Sequence, residues 1–132
     1  MYIGVRIPDG GARVRVVDPP WNYNPPQDPL LEECTIELNP RLDLRNHSPT
    51  GLEWGYGGSG PAQLALALLA DATGDDVYAC SFYQQFKWEV VARWDQEEGW
   101  WQTHAGIMKW VAAHPMLDGG NDGGNKTQAD AP

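Results

Sequence analysis

The stretch that most restricts this chain runs from Gly60 to Asp71, GPAQLALALLAD. Ala62, Leu64, Ala65, Leu66, Ala67, Leu68, Leu69 and Ala70 leave only Gln63 and Asp71 as polar residues. Alanine and leucine are strong helix formers, and Pro61 in a first turn loses nothing by lacking an N–H. Gly74 stands where a helix can end in the left-handed conformation. A helix that is apolar on every side has no face to give to water, so it must be surrounded by the rest of the fold. At about a dozen residues it is too short to cross a bilayer, which takes ~20. With 132 residues the chain forms one domain, and its other elements have to wrap this helix.

The elements before it read as sheet. Tyr2 to Pro8 (YIGVRIP) and Ala12 to Val17 (ARVRVV) alternate apolar and polar residues around Asp9-Gly10-Gly11, the pattern of a hairpin. Asp18 to Pro29 (DPPWNYNPPQDP) carries five prolines in twelve residues and predicts a stiff, extended loop. Cys34 to Leu38 (CTIEL) reads as a third strand, and Arg41 to Ser48 (RLDLRNHS) as a short edge strand.

The elements after it read as helix. Asp75 can cap a helix from Asp76 to about Trp94, with Ala79, Phe82, Tyr83, Phe86 and Val90 on one face and Trp88 on the other. After the polar turn DQEEG, Thr103 can cap a third helix bearing the stripe Ile107, Trp110, Val111 and His114, with Pro115 ending it. From about Leu117 the glycine-rich tail has nothing to bury and is expected to be disordered. The sum is an α+β domain over 1–116: a small antiparallel sheet of three or four strands, starting with the N-terminal hairpin, packed against three helices.

Charge narrows the function classes. A formal net charge of −9 works against general affinity for nucleic acids or anionic membranes, which reward lysine and arginine. The carboxylates are scattered, as on a solvated surface. With no leader-like segment and no long apolar run, the expected location is the cytoplasm, where Cys34 and Cys80 would stay reduced.

Two short motifs suggest enzymes. Asp18-Pro19-Pro20-Trp21 has the residue types with which amino-methyltransferases hold a target amine and stack a flipped base. Gly55-Tyr56-Gly57-Gly58-Ser59-Gly60 fits a dinucleotide fingerprint. Such enzymes are built on parallel strands joined by crossover helices. The prolines at 19, 20, 25, 26, 29, 40 and 49 leave no room for a crossover, and the chain after Gly60 reads as helical, so methyltransferase chemistry is a remote alternative. Ser59 with His47 as its base lacks an implied acid partner and the second glycine of a nucleophile elbow. His47, His104 and His114 have no acidic or thiol residue at ligand spacing, so no metal site is expected. The expectation is therefore no catalytic residue and no cofactor.

Two binding readings remain. The glycine turn opens a helix and can hold a small anion or nucleotide, with Arg45, His47, Ser48, Tyr56, Gly57, Gly58, Ser59, Gln63 and Lys87 as candidate residues. Alternatively, Trp21 and Tyr23 on the rigid proline-rich loop, together with Trp88, can meet a partner protein, because aromatics on preordered backbone lose little entropy on docking.

LDLRNHSPTGLEWGYGGSGPAQLALALLAD, together with YQQFKWEVVARW, resembles a family of unknown function found in bacteria, archaea and their phages. Its hallmark is a block like HSPTGFEWGYGGSGPAQLALALL. The resemblance covers roughly residues 41 to 112, and Leu52 stands where the pattern tends to have phenylalanine. It implies that the glycine turn belongs to the family pattern rather than to a cofactor fingerprint. It also marks Arg45, Asn46, His47, Ser48, Trp54, Tyr56, Ser59, Gln63, Phe86 and Lys87 as the expected functional surface. The resulting expectation is a non-enzymatic cytosolic module acting through a partner protein and carried by a phage or mobile element. An inhibitor of host defence, with the acidic surface as nucleic-acid decoy, is one version. The small-anion or nucleotide binder is the alternative.

Overall fold

A computed structural model of the chain describes residues 1–8, 10–17, 35–48 and 51–116. The proline-rich loop with Asp18, Trp21 and Tyr23, residue Cys34 and the tail from Leu117 lie outside the described residues.

Strands β1 (Tyr2–Arg6) and β2 (Ala12–Val17) form the expected hairpin, and β3 (Thr35–Glu37) adds to the far side of β2. The fourth strand, β4 (Trp100–Gln102), comes from the opposite end of the chain and pairs with β1. The sheet order is β3-β2-β1-β4, and every pairing is antiparallel. Among the described residues this order contains none of the parallel crossover units on which a nucleotide-cofactor domain is built.

The fourth strand is therefore not Arg41 to Ser48. That segment is a turn: Arg41 holds a left-handed φ of 58°, and the Leu44 amide donates to the Arg41 carbonyl. The Arg41 guanidinium fixes this geometry by binding both oxygens of Asp43 and both of Asp76. Its backbone polar groups are also committed elsewhere, as described below.

Helix α1 (Ser59–Thr73) occupies the centre, with Leu64 to Leu69 completely enclosed. Gly74 ends it at φ 66°, its N–H donating to the Ala70 carbonyl. Helix α2 (Asp76–Glu89) runs back along it, capped by the Asp75 carboxylate accepting from the Tyr78 amide. It stops five residues before the expected Trp94. Val90 leaves helical geometry at φ −124°, ψ −66°, and Val91–Arg93 form a 3-10 turn that drives Val91 into the core. Helix α3 (His104–Ala112) is capped by the Thr103 hydroxyl and inserts Ile107.

The sheet closes on α1 through Tyr2, whose hydroxyl donates to Asp71 at 2.7 Å. Burial, reinforced by the Asp71 carboxylate, raises the Tyr2 pKa well above the ordinary phenol value. Trp100 of β4 packs with two further tryptophans. Trp100 stacks on Trp94 at 4.3 Å and meets Trp54 edge-on at 5.8 Å, while Trp54 donates to the Glu98 carbonyl. The Arg6 guanidinium covers Trp54 at 4.0 Å and is held by Glu53 and the Gln96 carbonyl.

Gly4 is required at the cross-strand position opposite Trp100, because a Cβ there would lie 2.2 Å from the indole nitrogen. Displacing the indole would disturb the stack, so Gly4→Ala is expected to cost about 2 kcal/mol, typical of overpacking, read as a lower urea midpoint at unchanged slope.

Candidate functional site

The site begins with Gln63, which is 0% exposed. A buried amide must find partners for two donors and two acceptor positions. Gln63 Nε2 donates to the carbonyls of Pro40 and Arg45, and Oε1 accepts from the amides of His47 and Ser48. One side chain on α1 thereby fastens the whole segment from Pro40 to Ser48. The segment is also pinned from α2, where His47 Nε2 meets the Tyr83 hydroxyl at 2.6 Å, and the Ser48 hydroxyl donates to the Gly51 carbonyl.

The glycine turn follows. Gly55 lies at φ 87°, with its amide donating to the Val91 carbonyl and the backbone of Gln96 packed where a side chain would project. Gly57 receives the outer edge of the Trp88 indole, and Gly58 receives the Tyr56 ring. Glycine is needed at these two positions for close approach, since a Cβ would lie 2.2 Å from Trp88 or 2.5 Å from Tyr56. The result is a bare backbone turn flanked by two aromatic rings. Both rings face water: Tyr56 is 39% and Trp88 is 59% exposed. Behind them Lys87 is only 6% exposed, with its ammonium 4.3 Å from the centre of the Trp88 ring.

Helix α1 starts from this turn with Gly58 at its N-cap. Among the described residues no side chain caps it, and its first turn carries no acidic residue. On the other side of Tyr56 an open cleft of about 450 Å³ is lined by residues including Arg6, Pro8, Glu53, Gln96 and Glu97.

The family model described as "Family of unknown function (DUF6166)" matches residues 29–113. The chain belongs to this family. The DUF6166 span contains the Gln63 clamp, the glycine turn, all three helices and β4, and leaves the β1–β2 hairpin outside. No curated protein and no solved structure shows a significant match.

The residues singled out in the sequence separate into two groups within the DUF6166 span. Tyr56, Gly57, Gly58, Ser59 and Trp88 assemble around the start of α1, and Lys87 touches this group through the face of Trp88. Gln63, His47 and Ser48 serve the scaffold: Gln63 has all its hydrogen-bonding positions filled, and His47 faces Tyr83 rather than acting on Ser59. Trp54 and Phe86, marked by the resemblance, are core residues. Arg45 is exposed and folds its guanidinium onto the carbonyl of Leu44. Sequence reading missed Tyr83 as the partner of His47. The signal was its place one helical turn before Lys87, on the same face of α2. Among the described residues no cluster of three or more histidine, cysteine, aspartate or glutamate side chains is placed to hold a metal ion, and no helix is long and apolar enough to cross a membrane.

Proposed function

We propose that this chain is a non-enzymatic cytosolic binding module that works through a partner protein, which docks on the ridge made by Tyr56, the glycine turn and Trp88. The observation that carries this reading is the state of Trp88. Its indole is 59% exposed, yet it is held in place by the Gly57 backbone on one side and the Lys87 ammonium on its face. An aromatic side chain that is already immobilised loses little entropy on docking, and large aromatics contribute disproportionately to interface energies. Tyr56 extends the same ridge toward the open cleft, which gives a partner a concave edge beside a convex one.

The non-enzymatic part is supported by the occupation of the groups that would do chemistry. The ring of His47 is taken by Tyr83, and the hydroxyl of Ser48 by the Gly51 carbonyl. The free thiol of Cys80 suits a reducing compartment.

Affinity capture with Trp88→Ala tests this reading. The partner retained by the native chain should be lost with Trp88→Ala, with binding weakened by about 2 kcal/mol or more, the usual threshold of an aromatic hot spot. Val77→Ala provides the control, since Val77 is exposed on the same helix outside the ridge. Capture of the same protein at equal affinity by Trp88→Ala would refute the docking surface, provided the variant melts with the native chain.

A further inference from the structure

Two aromatic rings of this chain carry a cation on their faces, and a third, which borders open space, does not. The Arg6 guanidinium lies 4.0 Å from the centre of the Trp54 ring and binds Glu53 at 2.6 Å. The Lys87 ammonium lies 4.3 Å from the centre of the Trp88 ring. Tyr56 is 39% exposed, and among the described residues no cation lies over its ring. The face of such a ring attracts a cation through its quadrupole, more strongly where water is partly excluded.

Tyr56 shares the cleft of about 450 Å³ with Gly10 and Gly11 at the end of the hairpin and with Gln96 and Glu97 in the turn before β4. The side-chain directions of Gly10 and Gly11 meet nothing within 4 Å, so that rim is bare backbone. The cleft has an unbalanced negative charge. Arg6 and Glu53 both line it and cancel each other. Glu97 lines it too, is exposed, and among the described residues makes no ion pair. Asp95 and Glu98, on the same turn, are also exposed and bind no cation there, the Asp95 carboxylate accepting from the Glu97 amide. Arg93, just before the turn, is joined to none of them.

We propose that this cleft receives an arginine side chain carried by an extended basic segment of the partner protein, with its guanidinium on the Tyr56 ring and against the Glu97 carboxylate. The proposal rests on the ridge described above and names the chemistry of what docks beside it. Arginine suits the place better than lysine, because its planar group both stacks on a ring and donates two N–H groups to one carboxylate. Arg6 makes the same combination within the chain, with Trp54 on its face and Glu53 at its edge. A net charge of −9 favours a basic protein segment and works against a nucleic acid, an anionic membrane or a second copy of this chain.

The probe is a blocked peptide of alternating glycine and arginine, titrated into the ¹⁵N-labelled full chain. Saturable shifts are expected at the amides of Tyr56, Gln96 and Glu97, with affinity falling as salt rises. The same peptide with citrulline in place of arginine keeps the shape without the charge and should bind more weakly by about fivefold or more. Glu97→Gln, at an exposed position, should also lose about fivefold, the upper range for an exposed ion pair, and Tyr56→Leu a similar amount. Equal binding of the two peptides, shifts spread over the whole acidic surface, or unchanged affinity in Glu97→Gln would each overturn the proposal. So would shifts at Tyr56 that follow protein concentration without peptide, which would assign the cleft to a second copy. The ridge itself fails separately, through partner capture at equal affinity by Trp88→Ala. Loss of the partner by Trp88→Ala, with full retention by Glu97→Gln at low and high salt, removes the basic segment and leaves the ridge standing.

Discussion

Gln63→Leu is expected to destabilise the domain by about 4 kcal/mol or more, because each buried polar group stripped of its partner costs ~1–3 kcal/mol. The leucine side chain has nearly the volume of glutamine and suits a helix, so neither packing nor propensity opposes it. The whole effect comes from the carbonyls of Pro40 and Arg45 and the amides of His47 and Ser48, which lose their partner together. The domain can relieve the loss only by releasing the segment to water, which would also break the contact between His47 and Tyr83. Urea denaturation followed by circular dichroism measures the first outcome. Amide exchange at His47 and Ser48 reads the second, with protection dropping even where the global midpoint moves less. A variant within about 1 kcal/mol of the native chain, the span of an ordinary surface substitution, with those amides still protected would show that the clamp is dispensable.

The second large effect is expected at Gly55. Two independent penalties meet there. Its φ of 87° disfavours any residue with a Cβ, and that Cβ would lie 2.5 Å from the Gln96 Cα and 2.6 Å from its nitrogen. A flexible side chain could move aside, but backbone inside a packed turn cannot do so without shifting Trp94, whose ring stacks on Trp100. Gly55→Ala should therefore cost on the order of 3 kcal/mol or more, adding overpacking to left-handed strain. Gly10→Ala separates the two causes. Gly10 has a φ of 103° with open space around its side-chain direction, so only the strain of about 1–2 kcal/mol should appear. Equal losses at the two positions, measured by urea denaturation, would remove the backbone collision from the account.

These two positions also show where sequence reading succeeds and where it ends. The glycine turn was legible as the opening of a helix, and the hydrogen-bonding capacity of Gln63 was visible as an interruption in an apolar run. Their partners were not legible. Gln96 lies far along the chain from Gly55, and the carbonyls and amides that Gln63 binds belong to a segment whose alternation resembles a strand. RLDLRNHS has the pattern of an edge strand, yet its backbone groups are claimed by a side chain, and Arg41 is fixed in a turn by Asp43 and Asp76. The strand that takes the fourth place, Trp100–Gln102, is three residues long and sits between a polar turn and a helix cap. So short a segment carries no periodicity. Its pairing with β1 is accompanied by the stacking of its own Trp100 on Trp94.

For the candidate site the division is similar. The sequence puts Lys87 and the glycine turn among the same candidate residues, but only the packing of the Trp88 indole against Gly57 joins them, and that contact follows from how α2 lies along α1.

What the amino-acid order determined on its own was local. It set a central helix with no face for water, its glycine terminator, the Asp75 and Thr103 caps, and a hairpin at the start. Each depends on the backbone preference or polarity of residues within a few positions of one another. What only the tertiary structure decided was pairing over long separations: which segment completes the sheet, which groups satisfy Gln63, and which ring lies on the bare turn. Such contacts form because burial forces every polar group and every void to find a complement in space, and distance along the chain does not reveal which one it will be.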